Sequence, residues 1–359
     1  MIKKNPKFIY EQIAQDLSER IRQNAFPENR LPAERSLAEH YNANRITLRK
    51  AIDLLEKDNL VTRDGTRGTI IGRRARHGHE NMIIGFVLVG RTRLDPLHSV
   101  TIMELEQQLK GYKSNSMLFS IADEDEIDQV LVPAIGRKLV DGLIVTGLVS
   151  PETLARIKRL SIPAVLLGHL LYSSPIEKQM DRVCPDSTEY SYQAVRCLQQ
   201  EGRGRIALIN GPPYLWFMNI YNGYMRALHE ADVPYEDALV ERCDDDSSAA
   251  AMVAMARLLK KSTPDAIFIA SERMLPGVMA TLNAHGVRYP EELGIITVGV
   301  ETDEQLSNKC IKFVACDWRV MVQSALELLF TRIDNPNVPP RMITIPFHIV
   351  NNSTKRDEK

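Results

Sequence analysis

The densest group of side chains able to recognise another molecule lies within Leu31–Arg49, with the sequence LPAERSLAEHYNANRITLR. Asn44 is a good N-cap for a helix that begins at Arg45 and carries Thr47 and Arg49 in its first turns. Arginine offers a two-pronged donor to guanine, and residues at the start of a helix in the DNA major groove reach base edges. The pattern therefore predicts a DNA-recognition helix. The alternative is that these arginines form an ordinary solvated helix face.

Three short helices and a hairpin are predicted to position these side chains. Two β-rich runs flank a turn containing Gly65, Arg67 and Gly68, which predicts a hairpin with a basic tip. Together these elements make a winged helix-turn-helix of the α+β class. The apolar residues that predict the helices recur mostly at spacings of three and four: Ile9, Ile13, Leu17 and Ile21, then Leu37, Ala38 and Tyr41, then Leu48, Ile52 and Leu55.

This stretch, residues 8–71, resembles the GntR family of bacterial regulators. Ala33 departs from that family's usual capping serine, so the second helix is expected to fray slightly more. Asn44 also replaces a serine, but it keeps the ability to cap the third helix. The matching segments are Tyr10–Ile13, Leu31–Ala38, Arg45–Ala51 and Gly65–Thr69. The resemblance implies DNA contacts by Arg35, Arg45, Thr47, Arg49, Thr66, Arg67 and Gly68.

Charge and composition fit this division of the chain. The 359 residues suggest two domains, and residues 1–80 hold 16 Lys and Arg against 11 Asp and Glu, while the remainder holds 29 against 35. The five cysteines show no metal-binding spacing, and no apolar run suggests a signal peptide or a membrane span. A cytoplasmic protein with reduced thiols is therefore expected, with no membrane partner.

Four segments are predicted: a DNA-binding domain over 1–73, a linker over 74–81, an effector-binding and dimerisation domain over 82–350, and a tail over 351–359. The linker is polar and basic. It is interpreted as a flexible tether, with phosphate contacts by Arg73 and Arg74 as the alternative.

The larger domain alternates strands and helices, beginning with Ile83–Val89, a continuous apolar run suited to a strand buried on both faces. Such repeated β-α units predict parallel sheets covered by helices, here in two lobes because the segment is long. One helix is predicted over 221–231, which leaves the preceding Trp216 and Phe217 in a loop.

The order and spacing of these units resemble the sugar-binding domain of the LacI family, itself similar to periplasmic binding proteins. A GntR head on such a body resembles arabinose-repressor-type regulators. The segments that carry the likeness are Ile84–Val87, Val140–Val145, Ile162–Leu167, Gly204–Gly211, Gly223–Tyr224, Pro264–Phe268 and Gly286–Gly299.

The resemblance places an effector between the lobes, and the residues there depart from the family pattern. Ile220 stands where an arginine is usual, Ser271-Glu272 where an Asn-Asp pair is usual, and Glu301 where an aspartate is usual. Without that arginine, a neutral sugar or polyol is expected, a cationic ligand stays open and an anionic one is disfavoured. The effector-binding residues predicted are Leu97, His98, Trp216, Phe217, Asn219, Ile220, Ser271, Glu272 and Glu301.

Structural roles are the alternatives for several of these residues: loop packing for Trp216 and Phe217, and helix capping for His98 and Glu272. Asp244-Asp245-Asp246 is interpreted as charge at a helix start, with Asp246 or Ser247 as the cap and a metal site as the alternative. No catalytic motif was found, so no catalytic residue, metal or cofactor is expected.

The sequence thus predicts a ligand-responsive regulator, a repressor that binds palindromic double-stranded operator DNA as a homodimer. A solute-binding protein and an enzyme that uses the cleft are the alternatives.

Overall fold

The computed structural model describes residues 9–22, 25–26, 30–57, 60–64, 68–71, 79–91, 96–299 and 311–351. Most of the predicted linker, the wing tip at residues 65–67 and nearly all of the predicted tail lie outside these ranges.

The N-terminal part is a winged helix-turn-helix, as predicted. Its helices bury an apolar core in which Leu17, Leu48 and Ile52 are fully enclosed. Its two strands pair in antiparallel register from Val61 opposite Ile71. The elements are α1 (Ile9–Arg22), α2 (Glu34–His40), α3 (Arg45–Lys57), β1 (Val61–Asp64) and β2 (Gly68–Ile71).

The larger part alternates strands and helices, as the sequence predicts. The elements are β3 (Ile83–Val89), α4 (Pro96–Gly111), β4 (Asn115–Ile121), α5 (Glu126–Gly136), β5 (Gly142–Gly147), α6 (Pro151–Arg159), β6 (Ala164–Leu167), β7 (Asp181–Pro185), α7 (Ser187–Gln200), β8 (Ile206–Asn210), α8 (Leu215–Glu230), β9 (Val240–Arg242), α9 (Ser248–Lys261), β10 (Ala266–Ile269), α10 (Leu275–Ala284), β11 (Gly294–Val298), β12 (Ile311–Cys316), α11 (Trp318–Asp334), β13 (Met342–Ile345) and β14 (Phe347–Asn351).

These elements build two lobes around two six-stranded sheets. Lobe 1 has the strand order β4-β3-β5-β6-β7-β13 and lobe 2 the order β9-β8-β10-β11-β12-β14. All strand pairs are parallel except β12 with β14. The chain passes between the lobes after β7, after β12 and after β13, at Asp186, Asp317 and Pro346. The predicted two-lobed α/β domain is confirmed.

Alternating side chains of each strand supply the two faces of each lobe. In β3, Phe86 packs with α4 and α11 on one face, and Val87 packs on the opposite face with α5 and α6. Both residues are at most 1% exposed. A parallel sheet covered by helices on both faces requires such apolar strands, so the carboxyl ends of the strands are where polar side chains gather.

Three features of the lobes differ from the sequence-based prediction. Strands β7 and β14 were not predicted, because DRVCP and FHIVN interrupt their apolar residues with charged or polar ones. Helix α8 begins at Leu215, six residues before the predicted start. Because the helix begins earlier, Phe217 and Ile220 lie within it and pack into the core of lobe 2.

Candidate DNA-binding surface and interlobe cavity

The start of α3 has the geometry of a capped recognition helix. The backbone N–H of Thr47 donates to the Asn44 Oδ1 atom at 2.7 Å, so the predicted N-cap is present. By contrast, the side chain at the N-cap of α2, Ala33, makes no capping bond, as expected for alanine. The cap places Arg45, Thr47 and Arg49 in the first turns of α3.

The predicted DNA-contacting arginines differ in their partners. The Arg49 Nε atom lies 2.9 Å from a Glu34 carboxylate oxygen, and Arg35 pairs with Glu39 at 3.3 Å. Arg45 is exposed at the helix start, and no ion pair joins it to another residue of the described ranges. Among the predicted DNA-contacting arginines, Arg45 is therefore the one that can bind DNA without breaking an ion pair within the described ranges.

An arginine that was not among the predicted DNA-binding residues stabilises this surface. Arg63 on β1 pairs with Asp53 and Glu56 of α3 at 2.6 and 2.9 Å, and it donates to the backbone oxygen of Arg49. It thereby joins the wing to the recognition helix. The wing is also tied to the start of α2, since the Leu31 N–H donates to the Thr69 oxygen at 2.9 Å.

The wing turn is only partly described. Gly68 is exposed and has a φ of +81°, a conformation that favours glycine. Thr66 and Arg67, predicted to contact DNA, lie outside the described residues.

A cavity of about 180 Å³ opens where the carboxyl ends of the strands of both lobes meet. Its walls come from the ends of β3, β5 and β6 in lobe 1, the ends of β10 and β11 in lobe 2, and the crossing segments. This volume is far above the roughly 10–15 Å³ that a single water needs, so the space can hold a small molecule.

Five of the nine residues predicted to bind an effector line this cavity: Leu97, His98, Trp216, Ser271 and Glu272. Glu301 lies outside the described residues, and Asn219 is half-buried on α8 and does not line the cavity.

Phe217 and Ile220 correct the prediction. Both are enclosed in the core of lobe 2, at 1% and 0% exposure, with Tyr224. Because α8 already begins at Leu215, these residues follow one another at helical spacing on its inner face. Trp216 projects from the neighbouring face and reaches the cavity. No effector contact is therefore proposed for Phe217 or Ile220.

Several cavity residues were not predicted, and the most informative is Asp246. The triple acid was interpreted as charge at a helix start with Asp246 or Ser247 as the cap, and the cap of α9 is Ser247, whose Oγ atom accepts from the Ala250 N–H at 3.2 Å. The Asp246 carboxylate instead accepts from both terminal nitrogens of Arg91, each at 2.9 Å. Arg273 is also near, with Nε 3.4 Å from Asp246. The sequence offers no local signal for this cluster, because its members are far apart along the chain.

The cavity therefore contains two arginines, although Ile220 replaces the arginine usual in the family. The loss of that arginine is therefore not a reason to disfavour an anionic ligand. Arg91 and Arg273 line the cavity together with two carboxylates, Asp246, which pairs with both arginines, and Glu272. The formal charges of these four groups cancel.

Burial keeps His169, another cavity residue, uncharged. Desolvation, with a smaller contribution from the Arg182 guanidinium, lowers the pKa of His169 to about 4. Its Nε2 atom lies 3.1 Å from both the Pro185 oxygen and the Ser187 Oγ atom. At neutral pH this imidazole is a neutral hydrogen-bonding group in the cavity wall.

A glycine at the end of β5 is required for the close approach of strands beside the cavity. Gly147 has a φ of +99°, and a Cβ atom there would lie 2.3 Å from the Val89 oxygen. Any side chain at this position would displace β3 from β5.

The described residues contain no group of three or more His, Cys, Asp or Glu side chains arranged to hold a metal ion. Within the same ranges, no helix is both long and apolar enough to cross a membrane.

Two family models match the chain. Residues 9–71 match the gntR family of bacterial regulatory proteins, and residues 195–354 match the periplasmic binding protein-like domain. The fold thus comprises a winged-helix DNA-binding domain joined to a two-lobed α/β domain with an interlobe cavity. More specifically, the chain carries a GntR-family head and a periplasmic-binding-protein-like body, so the predicted resemblance is confirmed.

Curated relatives are transcriptional repressors and a catabolite control protein. The chain is 26% identical to the repressor PurR of Vibrio atlanticus (strain LGP32) over 61% of its length and 66% of the relative. It is 23% identical to the repressor CytR of Escherichia coli (strain K12), over 56% and 59%. Against catabolite control protein A of Priestia megaterium it is 27% identical, over 52% and 55%. The chain thus spans 55% to 66% of the length of these relatives.

Solved structures share the fold. A complex of the transcriptional regulator CelR with cellobiose superposes with a TM-score of 0.67 at 20% identity, covering 89% of this chain and 98% of that one. The regulator CcpA of Lactococcus lactis gives 0.65 at 20% identity, covering 76% and 98%.

Proposed function

We propose that this protein is a ligand-responsive transcriptional repressor that binds a palindromic operator as a homodimer. One observation carries the proposal: a single chain joins an exposed, capped recognition helix to an interlobe cavity of ligand size. The relatives named above as repressors support the same function. An isolated solute-binding protein would have no use for the basic surface of α3, and we propose no catalytic activity.

The DNA-binding part of this proposal is tested by selection from a random duplex library. The full chain should enrich a palindrome whose half-sites lie one or two helical turns apart, since a two-fold dimer presents two recognition helices. Fluorescence anisotropy should then show affinity for that duplex that exceeds the affinity for a scrambled one and falls with salt. Enrichment of no motif, or a monomer on the selected duplex in sedimentation, contradicts the proposal.

For the effector we propose a neutral, sugar-like molecule. Trp216 and Trp318 give the cavity two aromatic walls on which a sugar ring can stack. The Trp318 Nε1 atom is buried and has no hydrogen-bond partner among the described residues, so a ligand hydroxyl would satisfy it. The balanced charges of Arg91 and Arg273 against Asp246 and Glu272 favour a ligand without net charge.

The chain's only two tryptophans both line the cavity, so intrinsic fluorescence reports on its occupancy. Titration should reveal saturable binding of a neutral sugar; cellobiose and ribose, which are bound in two solved structures of similar fold, are the first to try. The phosphate ester of the same sugar should bind more weakly. Tighter binding of the phosphate would refute the neutral class without affecting the DNA-binding proposal.

A further inference from the structure

The side chains of Arg91 and Asp246 face each other across the cleft between the lobes. Arg91 follows β3 in lobe 1, and Asp246 precedes α9 in lobe 2. Both terminal nitrogens of Arg91 donate to the two carboxylate oxygens at 2.9 Å, and each side chain is only 13% exposed. Such a two-pronged, largely desolvated pair is among the stronger polar contacts in proteins.

The Asp246 carboxylate is available for this contact because it does not cap the helix that follows it. Ser247 caps α9, and the Ser247 N–H donates to Asp245 at 2.7 Å, so neighbouring residues satisfy the helix start. Arg273 of lobe 2 approaches the same carboxylate at 3.4 Å. Asp246 is therefore anchored within its own lobe while it binds a guanidinium from the other.

The connections between the lobes make this pair sensitive to their relative motion. The chain crosses between the lobes at Asp186, Asp317 and Pro346, and rotation about these segments is the ordinary hinge motion of such folds. A pair of hydrogen bonds that joins the two lobes is lost on such a rotation, because its two residues belong to different lobes.

We propose that Arg91 and Asp246 form an interlobe latch that stabilises the closed arrangement of the lobes. The latch forms part of the cavity wall, so a ligand that contacts either residue changes the closed-to-open equilibrium directly. The contact between Arg91 and Asp246 can form only when the lobes are closed. By contrast, Trp216 and Trp318 can stack on a ligand whether or not this contact forms.

Asp246→Asn and Arg91→Gln break the latch from opposite lobes. In each variant we expect the closed-to-open ratio to fall by at least roughly tenfold, since removing one partner of a buried pair leaves the other uncompensated. Acrylamide should then quench Trp216 and Trp318 more strongly, and small-angle X-ray scattering should show a larger radius of gyration than for the wild type.

Glu236→Gln is the matched control. Glu236 accepts from Arg205 at 3.3 and 2.7 Å, but both residues lie in lobe 2. This variant should match the wild type in both readouts. The double variant of Arg91 and Asp246 should be no more open than the more open single variant, because both changes remove one interaction.

Circular dichroism identifies any variant that fails to fold, and the remaining variant of the pair then carries the test. Unchanged quenching and radius in a folded latch variant overturn the latch, as does an equal change in Glu236→Gln or an additive double variant. Both readouts are made without DNA, so they distinguish failure of the latch from failure of the regulatory function.

Discussion

Replacing Arg45 with alanine should weaken sequence-specific DNA binding and leave the fold intact. Arg45 is exposed at the first position of α3, and it has no ion-pair partner within the described ranges. Its guanidinium is therefore available for a base edge. Alanine is the best helix former, so the free energy of unfolding should change by no more than about 0.5 kcal/mol.

The expected magnitude follows from the base contact. A good bidentate contact to guanine is worth about 1–3 kcal/mol, so losing it weakens binding roughly 5- to 150-fold for each recognition helix. Affinity for a scrambled duplex should fall much less, because only one positive charge is lost. Arg49 is held by Glu34 at 2.9 Å and should tolerate replacement less well in stability.

Fluorescence anisotropy on the selected palindrome and a scrambled duplex, at two salt concentrations, measures both effects. Arg288→Ala is the control, since it removes an equal charge from an exposed arginine of lobe 2 that pairs with Glu292. If Arg45→Ala keeps its preference for the palindrome within twofold of the wild type, Arg45 does not read a base.

Four further outcomes follow from the structure. Ile46, 70% exposed on α3, should contact a thymine methyl group, so replacing thymines by uracil in the palindrome should weaken the wild type but not Ile46→Ala; equal weakening would argue against this contact. Trp216→Ala should weaken sugar binding in calorimetry while the thermal midpoint changes little; unaltered affinity would place the ligand elsewhere. Gly147→Ala should lower the free energy of unfolding by about 1–3 kcal/mol in urea denaturation, because of its φ and its contact with the Val89 oxygen, and a neutral result would disprove the strain. The pKa of His169 is lowered to about 4 in the fold, so the unfolded chain binds more protons between pH 6.5 and 4. Stability should fall by up to roughly 3 kcal/mol as pH drops through this window, and His169→Gln should remove that part of the slope.

The DNA-binding part could be predicted closely because its signals are local. Helical spacing of apolar residues, an Asn44 cap and a glycine-bearing hairpin each act over a few residues. The pairing of Arg63 with α3 was missed, because it depends on how the wing folds back onto the helix.

The cavity was predicted in part, and its errors have identifiable causes. The helix was predicted to begin at residue 221, so the helical spacing of Phe217, Ile220 and Tyr224 was overlooked. Arg91 and Asp246 could not be paired from the sequence, because 155 positions separate them and the contact depends on the packing of two lobes. The Asp246 carboxylate looks like ordinary helix-start charge until that packing is known.

If the interlobe cavity controls the DNA-binding surface, a sugar bound in the cavity must change the affinity for DNA. The dissociation constant for the selected palindrome is determined by anisotropy with and without a saturating concentration of the sugar that changes tryptophan fluorescence. Coupling between two sites is typically about 1–3 kcal/mol, so the constant should change roughly 5- to 150-fold. If the dissociation constant for the palindrome stays within twofold for every sugar that binds the cavity, the cavity does not control DNA binding.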